Sequence, residues 1–96
     1  MRQDSSLYHI CDKDLFDYLV WLGSELRSKG KPELAEEVGI ASRFVRGSPS
    51  EFLHEAQTVL NKVIVDCGSV LSETQLADAV GVIGQIESAF RKIGGA

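Results

Sequence analysis

The fold is decided by residues 47–67, which read GSPSEFLHEAQTVLNKVIVDC. Gly47 can stop a helix in the left-handed conformation, Ser48 can cap the next helix, and Glu51 stands three residues later, where a capping box requires it. Apolar side chains then recur at helical spacing on one stripe: Phe52, Ala56, Val59, Leu60, Val63 and Cys67. The stretch therefore predicts one amphipathic helix from Pro49 to Cys67.

Residues that end and cap helices also occur on both sides of this stretch, and they divide the rest of the chain into further helices. Gly30-Lys31-Pro32 ends one periodic run and opens the next, and Ser72-Glu73-Thr74-Gln75 offers a second capping box after Gly68. We predict a single helical domain over residues 1–96, with helices at about 12–29, 32–46, 49–67 and 73–93 after an N-terminal arm of residues 1–11. Because short links force neighbouring helices to run antiparallel, the predicted fold is all-α, an antiparallel up-and-down four-helix bundle.

Two β-branched runs favour a competing fold. Val63-Ile64-Val65 and Val80-Gly81-Val82-Ile83 are rich in residues that strands prefer, so an α+β domain is the alternative. The helical spacing of the stripe from Phe52 to Cys67 favours the all-α interpretation.

Composition narrows the function classes. The chain has 96 residues, 44% of them hydrophobic, and a net charge of −4. An acidic chain lacks the cationic surface that nucleic acid requires, so no nucleic-acid partner is expected. The opening residues carry an acid and lead into no sustained apolar run, and no stretch approaches the length of a membrane span. We therefore expect a soluble, cytoplasmic protein with no membrane partner.

Two cysteines, Cys11 and Cys67, are too few and too far apart for a disulfide framework. Together with His9 and His54 they could assemble a metal site, but no CxxC or HxxxH spacing supports one. The expectation is free thiols, no metal and no cofactor.

Most charged residues follow the helix dipole. Acids gather where the predicted helices begin and bases where they end, an arrangement that stabilises helices and needs no active site to explain it. Glu87 is different, because it projects toward the predicted core stripe of the last helix, namely Leu76, Val80, Ile83 and Phe90. It is expected to be partly buried and paired with Arg91, or else to be a functional carboxylate with a perturbed pKa.

The first two predicted helices carry apolar residues on the side away from their core stripes. Helix one buries its leucine stripe and leaves Trp21 opposite it, beside Asp14, Asp17 and Ser28, with Tyr18 one turn earlier. In helix two, Ile40 and Phe44 project away from the core as a four-residue pair. Tyr18, Trp21, Ile40 and Phe44 are therefore a predicted binding surface.

Two alternatives would bury these residues within the chain. The N-terminal arm, with Leu7, Tyr8 and Ile10, could fold back over Trp21, or a helix could rotate so that both of its apolar stripes are covered.

The last helix carries a stripe of small residues, Ala77, Gly81, Gly84 and Ser88. Each interior glycine weakens a helix by about 1 kcal/mol relative to alanine, so close approach of another helix is a plausible compensation. The stripe is therefore a predicted helix-packing groove, for a helix of this chain or of a second copy.

One short segment has a chemical motif. Phe52 to Leu60, FLHEAQTVL, resembles the phosphoacceptor box of sensor histidine kinases, in which His-Glu is followed three residues later by Thr. The resemblance implies that His54 accepts a phosphoryl group, that Glu55 takes the proton, and that Thr58 positions water for the reverse reaction. Val59 stands where that family usually has proline, and no nucleotide-binding domain follows.

Our leading prediction is a non-catalytic helical module for protein–protein interaction or regulation, not an enzyme. Its partner would be another protein or a second copy of the chain in a homodimer. An acidic bundle of this size could also neutralise a basic partner, and the alternative function is phosphotransfer at His54.

Overall fold

The computed structural model describes residues 12–93, without the side chains of Cys67, Lys92 and Ile93. Within this range the chain forms four α-helices: α1 at Asp12–Ser28, α2 at Pro32–Arg43, α3 at Pro49–Cys67 and α4 at Glu73–Ile93. A 3₁₀ turn at Phe44–Arg46 follows α2. The described residues include no strand, and both β-branched runs lie inside helices, so the α+β alternative is wrong and the all-α four-helix bundle is confirmed.

The turn between α1 and α2 depends on one left-handed glycine. Gly30 has a φ of 83°, and the amide of Lys31 donates to the carbonyl of Leu26 at 2.8 Å while that of Gly30 donates to Arg27 at 3.2 Å. These two bonds satisfy carbonyls that the helix end would otherwise leave unpaired, as in a Schellman motif.

The caps of α3 and α4 differ in completeness. Ser72 Oγ accepts from the Gln75 amide at 3.1 Å and the Ser72 amide donates to Gln75 Oε1 at 3.0 Å, which completes a reciprocal capping box. At α3 the Glu51 amide donates to Ser48 Oγ at 3.2 Å, but among the described residues the Ser48 amide donates no return bond to the Glu51 carboxylate. The left-handed conformation expected at Gly47 is wrong, because its φ of −93° and ψ of −154° are extended.

Side-chain bonds between helices show the antiparallel order. Glu37, at the middle of α2, accepts two bonds from Lys62 of α3 at 3.0 Å, and Pro32 at the start of α2 lines the same cavity as Asp66 near the end of α3. Gln75, early in α4, donates to Glu25, late in α1, at 3.1 Å. Between them lies a continuous apolar core that is led by Leu15, Leu19, Leu22, Leu26, Val38, Phe52, Leu60, Val63 and Ile86.

Helix α4 is rotated from its predicted orientation. Ala79, Ile86 and Ala89 are buried, whereas Val80, which was predicted to be in the core, is 55% exposed and Ile83 is half-buried. Apolar residues occupy more than half of this helix circumference, so periodicity alone does not select the buried face. The alanines permit a close approach, and Ile86 fills the space between them.

The same rotation corrects the prediction for Glu87. Its side chain is exposed rather than partly buried, and it accepts a 3.5 Å hydrogen bond from Gln57 of α3. Arg91 does not pair with it, because the guanidinium instead donates to Ser88 Oγ at 3.2 Å.

Candidate protein-binding surface

Tyr18 and Trp21 form an aromatic pair on the side of α1 that faces away from α2. Their ring centroids lie 5.9 Å apart with the planes tilted by 34°, and Trp21 is 40% exposed. The four leucines of α1, Leu15, Leu19, Leu22 and Leu26, take the buried face, so helical geometry directs the indole outward. Within residues 12–93 Trp21 therefore lies on the surface, and the arm that was predicted as an alternative cover lies outside this range.

The hydroxyl of Tyr18 is an unusual feature of this surface. The ring packs against the core, and the Oη atom is buried without a hydrogen-bond partner among the described residues. Burial first, and the charge of Asp78 second, raise the pKa of Tyr18 to about 12. An unpaired buried hydroxyl costs about 1–3 kcal/mol of desolvation, so this position is not optimised for stability.

Carboxylates surround the aromatic pair. Asp14 lies one turn before Tyr18, while Asp17 and Glu25 lie one turn before and after Trp21. Asp78 of α4 comes close enough to raise the Tyr18 pKa. We call this group of six residues the acidic aromatic surface: Asp14, Asp17, Tyr18, Trp21, Glu25 and Asp78. Asp17 also accepts a 3.0 Å bond from Lys13, and both side chains are well exposed.

The predicted binding surface of Tyr18, Trp21, Ile40 and Phe44 is not continuous. Gly23 marks the α1 face toward α2, because a Cβ there would lie 3.6 Å from the Ala35 carbonyl oxygen. Tyr18 and Trp21 instead lie on the flank toward α4, whereas Ile40 lines a groove between α2 and α3.

Phe44 does not project into solvent, and that part of the prediction is wrong. Helix α2 ends at Arg43, and the following 3₁₀ turn changes the direction of the chain, so that the partly buried Phe44 packs against the core.

The groove between α2 and α3 was not anticipated from the sequence. Ile40, 46% exposed, lines a cavity of about 300 Å³ with Ala41, Glu55, Thr58 and Val59. A second cavity of about 500 Å³, near Pro32 and Asp66, shares Glu37 and Lys62 with the first. The hydrogen bond and charge of Glu37 raise the pKa of Lys62. Glu37 and Lys62 are 25 residues apart in sequence, and the residues around each of them do not predict that the two side chains pair.

The predicted helix-packing groove on α4 faces outward. Ala77, Gly81 and Gly84 are exposed and Ser88 is half-exposed. No atom other than the helix's own backbone and chain neighbours lies within 4 Å of a Cβ built on Gly81 or Gly84. No helix of the described chain packs on this stripe, so close approach within the chain does not compensate for these glycines.

The residues of the phosphoacceptor resemblance are divided between two directions on α3. Glu55, which is half-buried, and Thr58, which is exposed, both line the groove toward α2, whereas the exposed His54 is not part of that lining. No hydrogen bond joins the imidazole of His54 to Glu55 in the described part of the chain.

Two other properties concern residues 12–93 as a whole. No group of three or more His, Cys, Asp or Glu side chains in this range could hold a metal ion, and His9 and Cys11 lie outside it. None of the described helices combines the length and the apolar character that crossing a bilayer requires. The arm residues Leu7, Tyr8 and Ile10 also lie outside the described residues.

Comparison of the chain with protein-family models, with curated proteins and with solved structures found no match. Its function is therefore inferred from its own surface chemistry.

Proposed function

We propose that this chain is a non-catalytic module that binds another protein through the acidic aromatic surface on α1. The observation that carries the proposal is the 40% exposure of Trp21, whose ring lies in a tilted contact with Tyr18 and which has carboxylates one turn away on either side along α1. Tryptophan and tyrosine are the side chains most enriched at the energetic centres of protein interfaces. An exposed tryptophan beside a half-buried tyrosine, on a helix that the core anchors, is suited to that role.

The energetics of the surface support this use. The Tyr18 hydroxyl is buried without a partner among the described residues, and an exposed indole contributes little to the core. Covering Trp21 would remove apolar area from water at a gain of about 25 cal/mol per Å². Because Trp21 lies on a helix that four buried leucines anchor, a partner would have little backbone to order on binding.

Charge favours a different protein over a second copy of this chain. In a two-fold dimer centred on Trp21, the carboxylates of one copy would face the same carboxylates of the other. Like charges brought together at an interface cost several kcal/mol. With a net charge of −4, the chain also repels itself at longer range.

A photo-crosslinking experiment tests the proposal. The photoreactive residue p-benzoylphenylalanine replaces Ser24, which is exposed one turn from Trp21, and the matched control replaces the exposed Asn61 of α3. In extract of the cells that make the protein, we expect a discrete adduct from position 24 and none from position 61. Excess wild-type protein should abolish the adduct, whereas excess Trp21→Ala should not.

Light scattering separates the homodimer from this proposal. We expect the wild type and Trp21→Ala to have the same monomeric mass at micromolar concentration. A wild-type dimer that Trp21→Ala dissociates would identify the second copy as the partner. Equal adducts from both crosslinking positions would refute the acidic aromatic surface as the binding site.

A further inference from the structure

We propose that the acidic aromatic surface recognises an arginine side chain, presented by a basic segment of the partner protein. This inference rests on the proposed function and adds the chemistry of the partner to it. It depends on the juxtaposition of an exposed indole, a phenol in tilted contact with it and four carboxylates from two helices.

Three of the carboxylates lie on α1 and the fourth, Asp78, lies on α4. Asp14 lies one turn before Tyr18, Asp17 lies one turn before Trp21, and Glu25 lies one turn after Trp21. Two of the four already have a partner: Asp17 accepts from Lys13, and Glu25 accepts from Gln75. Asp14 and Asp78 have no hydrogen-bond partner among the described residues.

A guanidinium group fits this arrangement better than other ligands do. Its plane stacks on an indole face, and its five donors can bond carboxylates in the same plane. A phosphate or a nucleic acid would meet like charge here, and the described residues hold no cluster suited to a metal ion. An apolar segment alone would leave the carboxylates desolvated without compensation.

Lysine is the closest competing cation and should bind less well. Its ammonium group is a compact, strongly hydrated charge that cannot form two parallel bonds to one carboxylate. The expected order of affinity is therefore arginine, then lysine, and then uncharged side chains.

The test uses the full chain and three synthetic peptides. Acetyl-Gly-Arg-Gly-Arg-Gly-amide is the probe, its lysine counterpart tests the head group, and its glutamate counterpart is the charge control. Titrations are followed by amide chemical shifts and by the indole N–H of Trp21, the single tryptophan of the chain. We expect the arginine peptide to shift Trp21, Asp14, Asp17 and Asp78, the lysine peptide to do so more weakly, and the glutamate peptide not at all.

Matched variants identify the groups that contribute. Trp21→Leu keeps an apolar side chain but removes the π face, and should weaken arginine binding about two- to fivefold if the cation–π contact is present. Asp14→Asn and Asp78→Asn should each weaken it, and Glu36→Gln, which removes one charge from the exposed side of α2, should not. Raising the salt concentration should weaken binding further, since Asp14, Asp17 and Asp78 are exposed.

Several outcomes would overturn the inference. These are equal shifts with the glutamate peptide, an arginine peptide that shifts only the groove around Ile40, or an unchanged affinity in both Asp variants. Nuclear Overhauser contacts from Leu7, Tyr8 or Ile10 to the Trp21 ring would show that the chain's own N-terminal arm occupies the site.

The two proposals can fail separately. A crosslinked partner at position 24 together with no preference for the arginine peptide refutes only the arginine inference. Arginine binding together with no crosslinked partner refutes the protein-binding function.

Discussion

Helices α1 and α4 bury their apolar residues very differently. In α1 the leucines at 15, 19, 22 and 26 are all at most 1% exposed, and the exposed side combines polar residues with Val20 and Trp21. In α4 the only large side chain that is fully buried is Ile86 among the described residues, while Leu76, Ile83 and Phe90 are half-buried and Val80 is mostly exposed. The difference arises in the sequence: the leucines of α1 form one stripe of large aliphatic side chains, whereas the aliphatic side chains of α4 fall on two overlapping stripes.

One stripe determines how a helix is oriented about its own axis, whereas two stripes leave that orientation to tertiary packing. The consequence for function is that each helix has a different kind of outer surface. The buried leucine stripe of α1 leaves Trp21 exposed among the described residues, whereas the exposed apolar residues of α4 follow from its two overlapping stripes. For that reason our proposal assigns the binding surface to α1.

The largest expected effect is in the leucine stripe of α1. Leu19→Ala should lower the free energy of unfolding by about 3 kcal/mol, because it leaves a cavity at a fully buried position. Val80→Ala, on the exposed side of α4, should change it by less than about 0.5 kcal/mol. Urea unfolding followed by circular dichroism measures both. Equal losses in the two variants would mean that α4 is oriented as its sequence suggested.

A paired substitution within α4 tests its rotation more finely. Ile86→Ala should cost about 2–4 kcal/mol, because the side chain is fully buried. Ile83→Ala should cost about half as much, since half-burial loses less apolar area. The same unfolding titration compares them, and a larger loss for Ile83→Ala would contradict the observed orientation.

The outward face of α4 should tolerate larger side chains. Gly81→Ala and Gly84→Ala are each expected to stabilise the protein by about 0.5–1 kcal/mol, because the new methyl group meets open space and alanine favours the helix. Gly30→Ala is the control of opposite sign, and should cost about 1 kcal/mol or more at its φ of 83°. Thermal unfolding distinguishes these outcomes, and destabilisation by Gly81→Ala and Gly84→Ala would show that another helix packs on the stripe.

The smallest effect concerns the pH dependence contributed by Tyr18. Its pKa is about 12 in the folded state against 10.0 for an ordinary tyrosine, so the unfolded chain releases this proton at lower pH. The contribution to stability is complete below pH 10 and is lost as the pH rises toward 12. The free energy of unfolding of Tyr18→Phe should depend less steeply on pH between about 10 and 12, and an unchanged slope would contradict the raised pKa.

Three features show how much of the structure the sequence determines. Local signals predicted the bounds of α3 and α4 correctly, because the residues that form a cap and a periodic stripe are close together in sequence. The rotation of α4 and the inward turn of Phe44 depend on how distant helices fit together, which spacing along one helix does not encode. The position of Trp21 could be predicted because the leucines of α1 form one stripe, whereas the proximity of Asp78 to Tyr18 depends on the tertiary placement of α4 beside α1.

The most direct test of an exposed indole among carboxylates is quenching of the fluorescence of Trp21, the single tryptophan. Caesium and iodide are quenchers of opposite charge, and at low ionic strength the carboxylates should attract the first and repel the second. We expect the quenching constant of Trp21 to be larger for caesium than for iodide, after each is divided by the constant for N-acetyltryptophanamide. In the double variant Asp14→Asn and Asp78→Asn, the difference between the two constants should be smaller. Protection of Trp21 from both ions, or stronger quenching by iodide, would contradict this expectation.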